Sequence, residues 1–326
     1  MRKIVRIFLL AVLLVSAACQ RKTLMEPHEH YNLIIKAQID SLGRAQLMSN
    51  KSSYMKNAGE PASTKYILYD KLSGKVAYKG SFTGLENRMY IAEGLYDVLL
   101  YTTDFNEYDA NYFRGMENPL TAETYTRQSL SAEDKSDEQA SDVTEVYMVE
   151  PDPTFGALKE DVEVFYLYED NEVEISLVQK SFKYYLTIRA IGLHNIHTAT
   201  MNISGMYTTA FLAHEDHRMN EAGIQSVDMD IHYDTNPDPE IDNGYLYGEF
   251  WSFGPNQRED IVNSITLHFV SGDVLVKKLN DLTEQIKTLD KGGEIIVEQI
   301  LEVRGPAGGF EPGVEDWNKT DIDLIM

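Results

Sequence analysis

The sequence predicts an all-β protein built as two tandem sandwiches, with one short helix in the second, and three observations carry that prediction. Short segments in which apolar and polar residues alternate recur along the chain, which is the period of a half-buried strand. Glycine-bearing turns separate many of them, as tight reversals require. Long helical stretches between strands are missing, so the βαβ pattern of a parallel sheet is excluded. At 326 residues the chain is long enough for two cores, as the size of single domains leads one to expect.

The first element precedes the strands. Arg2, Lys3 and Arg6 lead into an uncharged run, Ile7 to Val15, and small residues Ser16, Ala17 and Ala18 close it. Basic, apolar, small is the order of a secretory signal. The run is too short to span ~30 Å of hydrocarbon, which takes roughly 20 residues. Residues 1–18 are therefore expected to be a signal peptide. The one cysteine, Cys19, follows at once. This arrangement resembles the bacterial lipoprotein signal, although Ser16 stands where Leu is usual. That resemblance implies lipidation of the Cys19 thiol, palmitate among the acyl chains, and an anchor in the outer membrane. One buried chain binds a membrane only marginally, whereas more than one holds it stably.

The strands follow in order. Tyr31, Leu33, Ile35, Ala37 and Ile39 alternate in YNLIIKAQID. KYILYDKLSGKVAYKG reads as a hairpin turning at Lys71–Gly74. RMYIAEGLYDVLLYTTD gives two strands broken at Glu93-Gly94. Residues 129–142 are polar and acidic and read as a solvated loop. TEVYMV is a further strand. The prolines of EPDPTFG then make a corner, and the boundary is expected at Pro151, giving domains 19–150 and 151–326. Longer strands fill the second half: VEVFYLYED, EVEISLVQKSFKYYLTIRAIG, TATMNISGMYTTAFLA, SVDMDIHYD, GYLYGEFWSFG, the hairpin NSITLHFVSGDVLVKKL, EIIVEQILEV and TDIDLIM. Asp281 and Glu284 are spaced as a capping box, and Leu282, Ile286 and Leu289 give the short helix one apolar face.

Composition excludes several functions. Lys and Arg number 29 against 52 Asp and Glu, a net charge of −23. Phosphate backbones demand the opposite balance, so nucleic acid is not a partner. No disulfide can form within a chain of one cysteine. No nucleophile elbow, phosphate-binding loop or dinucleotide fingerprint occurs, so no catalytic residues and no cofactor are expected. His194-x-x-His197 and His214-Glu-Asp-His217 place ligand-type side chains together, but zinc at that spacing fits best on a helix, and these segments read as strand end and loop. Asp234, Asn236, Asp238, Glu240 and Asp242 alternate as oxygen ligands for calcium would, yet Pro239 and Tyr245 replace the Gly and Glu of an EF-hand loop. A plain acidic loop is the competing reading. Trp251 and Trp317 could stack on a sugar; burial in a sandwich core is the simpler reading.

Several stretches, in order, resemble the fimbrillin-like lipoproteins of Bacteroidales, above all the fimbrial-anchor subfamily and its close relatives of unassigned function. They are GLYDVLLYTTD, VEPDPTFG, KYYLTIRAIGLHNI, ISGMYTTAFLA, GEFWSFG, ITLHFVSGD, NDLTEQI and GPAGGFEPGVEDWNKTDIDLIM. The resemblance implies two transthyretin-like β-sandwiches, an outer-membrane lipid anchor, and a part in anchoring or assembling a fimbrium through strand-mediated contacts with fimbrial subunits. Polymerising members lose an N-terminal strand by proteolysis at Arg; an anchor need not. The family's surface-exported members often carry acidic residues after the cysteine, where Gln20-Arg21-Lys22 stand here, so the periplasmic and surface faces both stay open. Residues Asp321, Ile322, Asp323, Leu324, Ile325 and Met326 alternate and are either a subunit-docking edge strand or a core strand of their own domain. The rival function is a surface lipoprotein of the same fold that binds carbohydrate or peptide.

Overall fold

Alternation in the sequence becomes alternation of burial in the structure. The structure is a computed structural model that describes residues 31–39, 43–45, 63–103, 111–126, 128–129, 146–165, 171–215, 221–234 and 243–303. Its elements open with β1 (Leu33–Ile39), β2 (Ser63–Asp70), β3 (Val76–Phe82), β4 (Glu86–Met89) and β5 (Gly94–Thr103). Short strands follow: β6 (Asn111–Arg114), β7 (Glu123–Thr126), β8 (Gln128–Ser129) and β9 (Tyr147–Met148). Next come β10 (Phe155–Val164), β11 (Asn171–Gln179), β12 (Phe182–Ile191), β13 (Ile196–Tyr207), β14 (Thr209–Phe211) and β15 (Ala222–Tyr233). The last are β16 (Asn243–Ser252), β17 (Asn263–Phe269), β18 (Val274–Lys278), helix α1 (Thr283–Thr288) and β19 (Gly293–Glu302).

Local chemistry explains the turns. In the β2–β3 hairpin the Asp70 carboxylate accepts from Ser73 N at 2.7 Å, and Gly74 takes φ +66°, a conformation that costs a residue without Cβ almost nothing. Ahead of α1, Asp281 Oδ1 accepts from Thr283 N at 2.9 Å, one of the orphan donors of a helix start. Leu282 and Ile286 turn into the core.

Strand pairing yields two units of one design. In the first, β3-β2-β5-β10 form one layer and β11-β1-β4 the other, linked only where Phe155 and Gly156 meet Gln179 and Val178. In the second, β18-β17-β13-β15 form one layer and β16-β12-β19 the other, linked where Asp230–Tyr233 meet Tyr247–Gly244. The opening strand of each unit runs parallel to its closing strand, β1 to β11 and β12 to β19. Taken in chain order, every other pairing also corresponds, save the single link between layers. Leu33, Ile35, Val98, Leu100, Ile175 and Leu177 meet inside the first sandwich. Tyr184, Leu186, Ile188, Met201, Leu246, Ile265, Ile295 and Ile286 meet inside the second.

Two expectations are corrected here. The change of sandwich does not fall at Pro151. β10 lies beyond that corner yet pairs with β5 from Gly156–Tyr101 to Val164–Gly94, and β11 pairs with β1 from Asn171–Leu33 to Leu177–Ile39. The change falls at Lys180-Ser181. That point also interrupts EVEISLVQKSFKYYLTIRAIG, which reads as one element in the sequence but is two strands in two sandwiches. The Pro151 corner instead braces the crossing: Thr154 N donates to Ser181 Oγ at 2.9 Å, and Ser181 Oγ donates to Asp152 O at 2.9 Å.

The stretch from residue 111 to 126, in which no strand was expected, supplies β6 and β7, and β14 completes a third, three-stranded sheet with them. This sheet covers the outer face of β2 and β5, where Ile67, Tyr69, Leu99 and Tyr101 pack with Ala122, Leu212 and Phe113. Arg114 pins it by pairing with Glu123, which is fully buried, and with Glu221 at 2.6 Å. The guanidinium also lies 5.0 Å over the Tyr125 ring.

Candidate functional site

The residues first singled out by sequence fare unequally. Cys19, the terminal strand Asp321–Met326, His217 and Trp317 lie outside the described residues. So do Asn236, Asp238, Glu240 and Asp242; Asp234, at the end of β15, bonds Arg189 Nη1 at 3.3 Å. His194 sits on a 3₁₀ turn, Leu193–Asn195, and His197 on β13; both are exposed. Among the described residues no group of three or more His, Cys, Asp or Glu gathers within metal-binding reach. His214 Nε2 lies 3.2 Å from Leu120 O, and its ring meets Phe211 at 4.5 Å.

Sheet edges are the features able to recruit another chain, because an edge presents backbone N–H and C=O groups to a new strand. The first sandwich guards its edges. β4 is four residues long and carries Glu86 and Arg88, and β3 carries exposed Lys79. Among the described residues, the second sandwich has β18 and β19 as its outer strands, with no link between them. β19 is ten residues long and shows Ile296 and Ile300 to solvent, 47 % and 55 % exposed. α1 covers part of that gap. With its amide nitrogen toward Ile296 O and its amide oxygen toward Ile296 N, Gln285 bonds both backbone groups at 3.2 Å. Asn280 N donates to Gln299 Oε1 at 3.3 Å. The side-chain amide thus does at one residue what a neighbouring strand would do along the edge.

The junction of the sandwiches is the second feature. Trp251, on β16 of the second sandwich, is 4 % exposed and joins the core cluster of the first. Its backbone N–H donates to Glu150 Oε1 at 2.7 Å. Beside it in register stands Lys183, 2 % exposed, whose ammonium lies 3.1 Å from Glu249 Oε2. Alternation along β16 puts Trp251 on the face opposite its own core, so its burial comes from the neighbouring sandwich. Beyond Glu249 the same sheet face carries Tyr185, Tyr245 and Tyr247, all partly exposed. His232 stacks on Tyr245 at 5.0 Å and meets Tyr247 edge-on at 5.9 Å.

A cavity of about 610 Å³ opens at the junction. The crossing segment, β14, the loop after β16 and the end of α1 border it, and one side is open to solvent. Lys180, Tyr207, Phe211, Phe253 and Lys291 are among its walls.

No family model matches the sequence, and no curated protein matches it. Solved structures do. A candidate adhesin from Bacteroides ovatus aligns with TM-score 0.56 at 16 % identity, over 85 % of this chain and 94 % of that one. A second candidate adhesin from Bacteroides ovatus aligns with TM-score 0.47 at 10 % identity, over 85 % and 89 %. The fimbrial anchor protein Mfa2 from Porphyromonas gingivalis aligns with TM-score 0.43 at 12 % identity, over 81 % and 89 %. The first of these shares this chain's fold, and at such identity the likeness is one of fold.

Proposed function

We propose that this chain is a structural, non-enzymatic lipoprotein of the outer membrane, tethered through Cys19, that anchors or assembles a fimbrium by strand-mediated contacts. One observation carries the reading. Two sandwiches share one design, yet the first joins its last two strands, β10 and β11, whereas the second leaves β18 and β19 apart. A strand from another subunit fits such an opening, since it meets two rows of backbone groups at once. The fold shared with a candidate adhesin supports the reading, as do the order of the fimbrillin-like motifs and the signal ahead of Cys19. In this reading the units divide at the crossing, residues 31–179 and 182–303, and Asp321–Met326 is the segment exchanged with a partner.

Three measurements test it. Mass spectrometry of the mature N-terminus is expected to find an acylated Cys19, and Cys19→Ala is expected to move the protein to the soluble fraction. Ile300→Lys, on an exposed position of β19, is expected to reduce co-purification of fimbrial filaments while leaving the melting temperature unchanged. Deleting Asp321–Met326 is expected to do the same. Normal filament attachment by both folded variants would remove the docking role.

The row Tyr185, Tyr247, Tyr245 with His232 favours a second reading, a surface that stacks on a saccharide. A glycan array separates the two: retention of one sugar class by the chain, lost in Tyr245→Ala and Tyr247→Ala, supports the second.

A further inference from the structure

We propose that the junction cavity is a binding site for a small amphiphilic anion, an aromatic body bearing one carboxylate. Its volume, about 610 Å³, lies in the range of roughly 300–1,000 Å³ typical of small-molecule sites. Phe182, Tyr207 and Phe253 give it an apolar wall, and none of the three is more than 8 % exposed. Such a wall suits a ring rather than a hydrated ion.

Lys180 supplies the polar contact. It lines the cavity, is 4 % exposed, and its Nζ donates to His214 O at 2.8 Å. An ammonium carries three donors, and that carbonyl takes one of them. Among the described residues no carboxylate forms an ion pair with it; Glu215, the acid that acts on it, lies 3.9 Å from Lys291. A buried charge held by a neutral carbonyl is costly, and a carboxylate brought by a ligand would relieve that cost. Burial has pushed the amine down to about 8, which leaves it protonated at neutral pH and ready to bind an anion. Of the charged side chains that line it, Lys180, Lys287 and Lys291 stand against Glu215 and Asp290. The site is thus locally cationic in a chain whose net charge is −23.

The competing account is that Lys180 only ties the His214 segment to the crossing. The probe that separates the two is 4-fluorophenylacetate, followed by fluorine NMR on the full chain after signal removal, with the neutral 4-fluorophenylacetamide beside it. The expected result is saturable binding of the acid and at least tenfold weaker binding of the amide. Lys180→Met is expected to weaken the acid at least tenfold. Thr288→Trp, which bulks an exposed position at the rim and leaves Lys180 in place, is expected to block both probes. No binding of the acid, equal binding of acid and amide, or unchanged binding in Thr288→Trp would overturn the proposal, even should Lys180→Met fail to fold. Either result leaves the fimbrial reading intact, because that reading rests on β18 and β19.

Discussion

The two sandwiches follow one chain path and end differently, and the contrast locates where a partner can add. In the first, the ladder passes from β10 to β11 at Phe155 and Gly156, the outer face of β2 and β5 lies under the third sheet, and the remaining edges are short or charged. In the second, the link lies instead between β15 and β16, and β18 and β19 face outward with α1 as partial cover. Same topology, therefore, does not mean same surface. Which pair of strands closes the sandwich decides which edge stays available.

The comparison can be broken most sharply at the contact that joins the halves. Trp251→Ala deletes a second-sandwich indole from the first-sandwich core, and removing a buried aromatic of this size costs about 3–5 kcal/mol. Urea unfolding is expected to show the first sandwich losing stability although the substitution lies in the second. A loss confined to the second would show that the cores are independent. Next in size is Arg114→Met. It leaves the buried Glu123 carboxylate without its guanidinium and frees the third sheet; with Arg114 itself partly solvated, a cost of about 2 kcal/mol is expected. Faster amide hydrogen exchange in β6 and β7, with β18 and β19 unchanged, would mark the effect as belonging to the first sandwich alone.

Gln285→Ala acts on the other side of the comparison. It removes two hydrogen bonds from the β19 edge, for about 1 kcal/mol, and bares the Ile296 backbone. Self-association measured by sedimentation is expected to rise, and the rise to vanish in the double variant with Ile300→Lys. The last effect is a pH slope, seen only in alkaline solution. Burial lowers Lys180 from its ordinary 10.5 to about 8, so between those values the unfolded chain binds the proton that the folded chain has released. Stability attributable to this group is thus present above pH 10.5 and falls away as pH drops toward 8. The difference between the wild-type chain and Lys180→Met, measured by urea unfolding across this window, is expected to show that slope and to be flat below pH 7.

Much of this was legible along the chain. β11 and the middle of β15 announce themselves by alternation that their burial follows, whereas β1 opens on three buried residues and β19 turns Ile296 and Ile300 outward. The β2–β3 turn and the apolar face of α1 were readable from short-range chemistry, whereas the capping box was not met: Leu282 is the N-cap residue, and Asp281 reaches only Thr283 N. The tyrosine row was not legible, because alternating Tyr in a half-buried strand normally signals packing. Nor was the junction. Glu150, Lys180, Lys183 and Trp251 are scattered in sequence, and Lys180-Ser181 carries only one weak turn residue, Ser181, with neither Gly nor Pro to mark the crossing.

The sequence by itself determined which side chain of each strand faces inward, because a period of two is a property of the backbone and needs no partner. It also determined the acidic balance, the lack of catalytic motifs and the place of the lone thiol. Tertiary structure alone decided which strands are neighbours, where the chain changes sandwich, and that Trp251 completes the other unit's core. Those outcomes depend on contacts between residues far apart in the chain, where several pairings satisfy the same alternation and only the joint packing of two cores selects one.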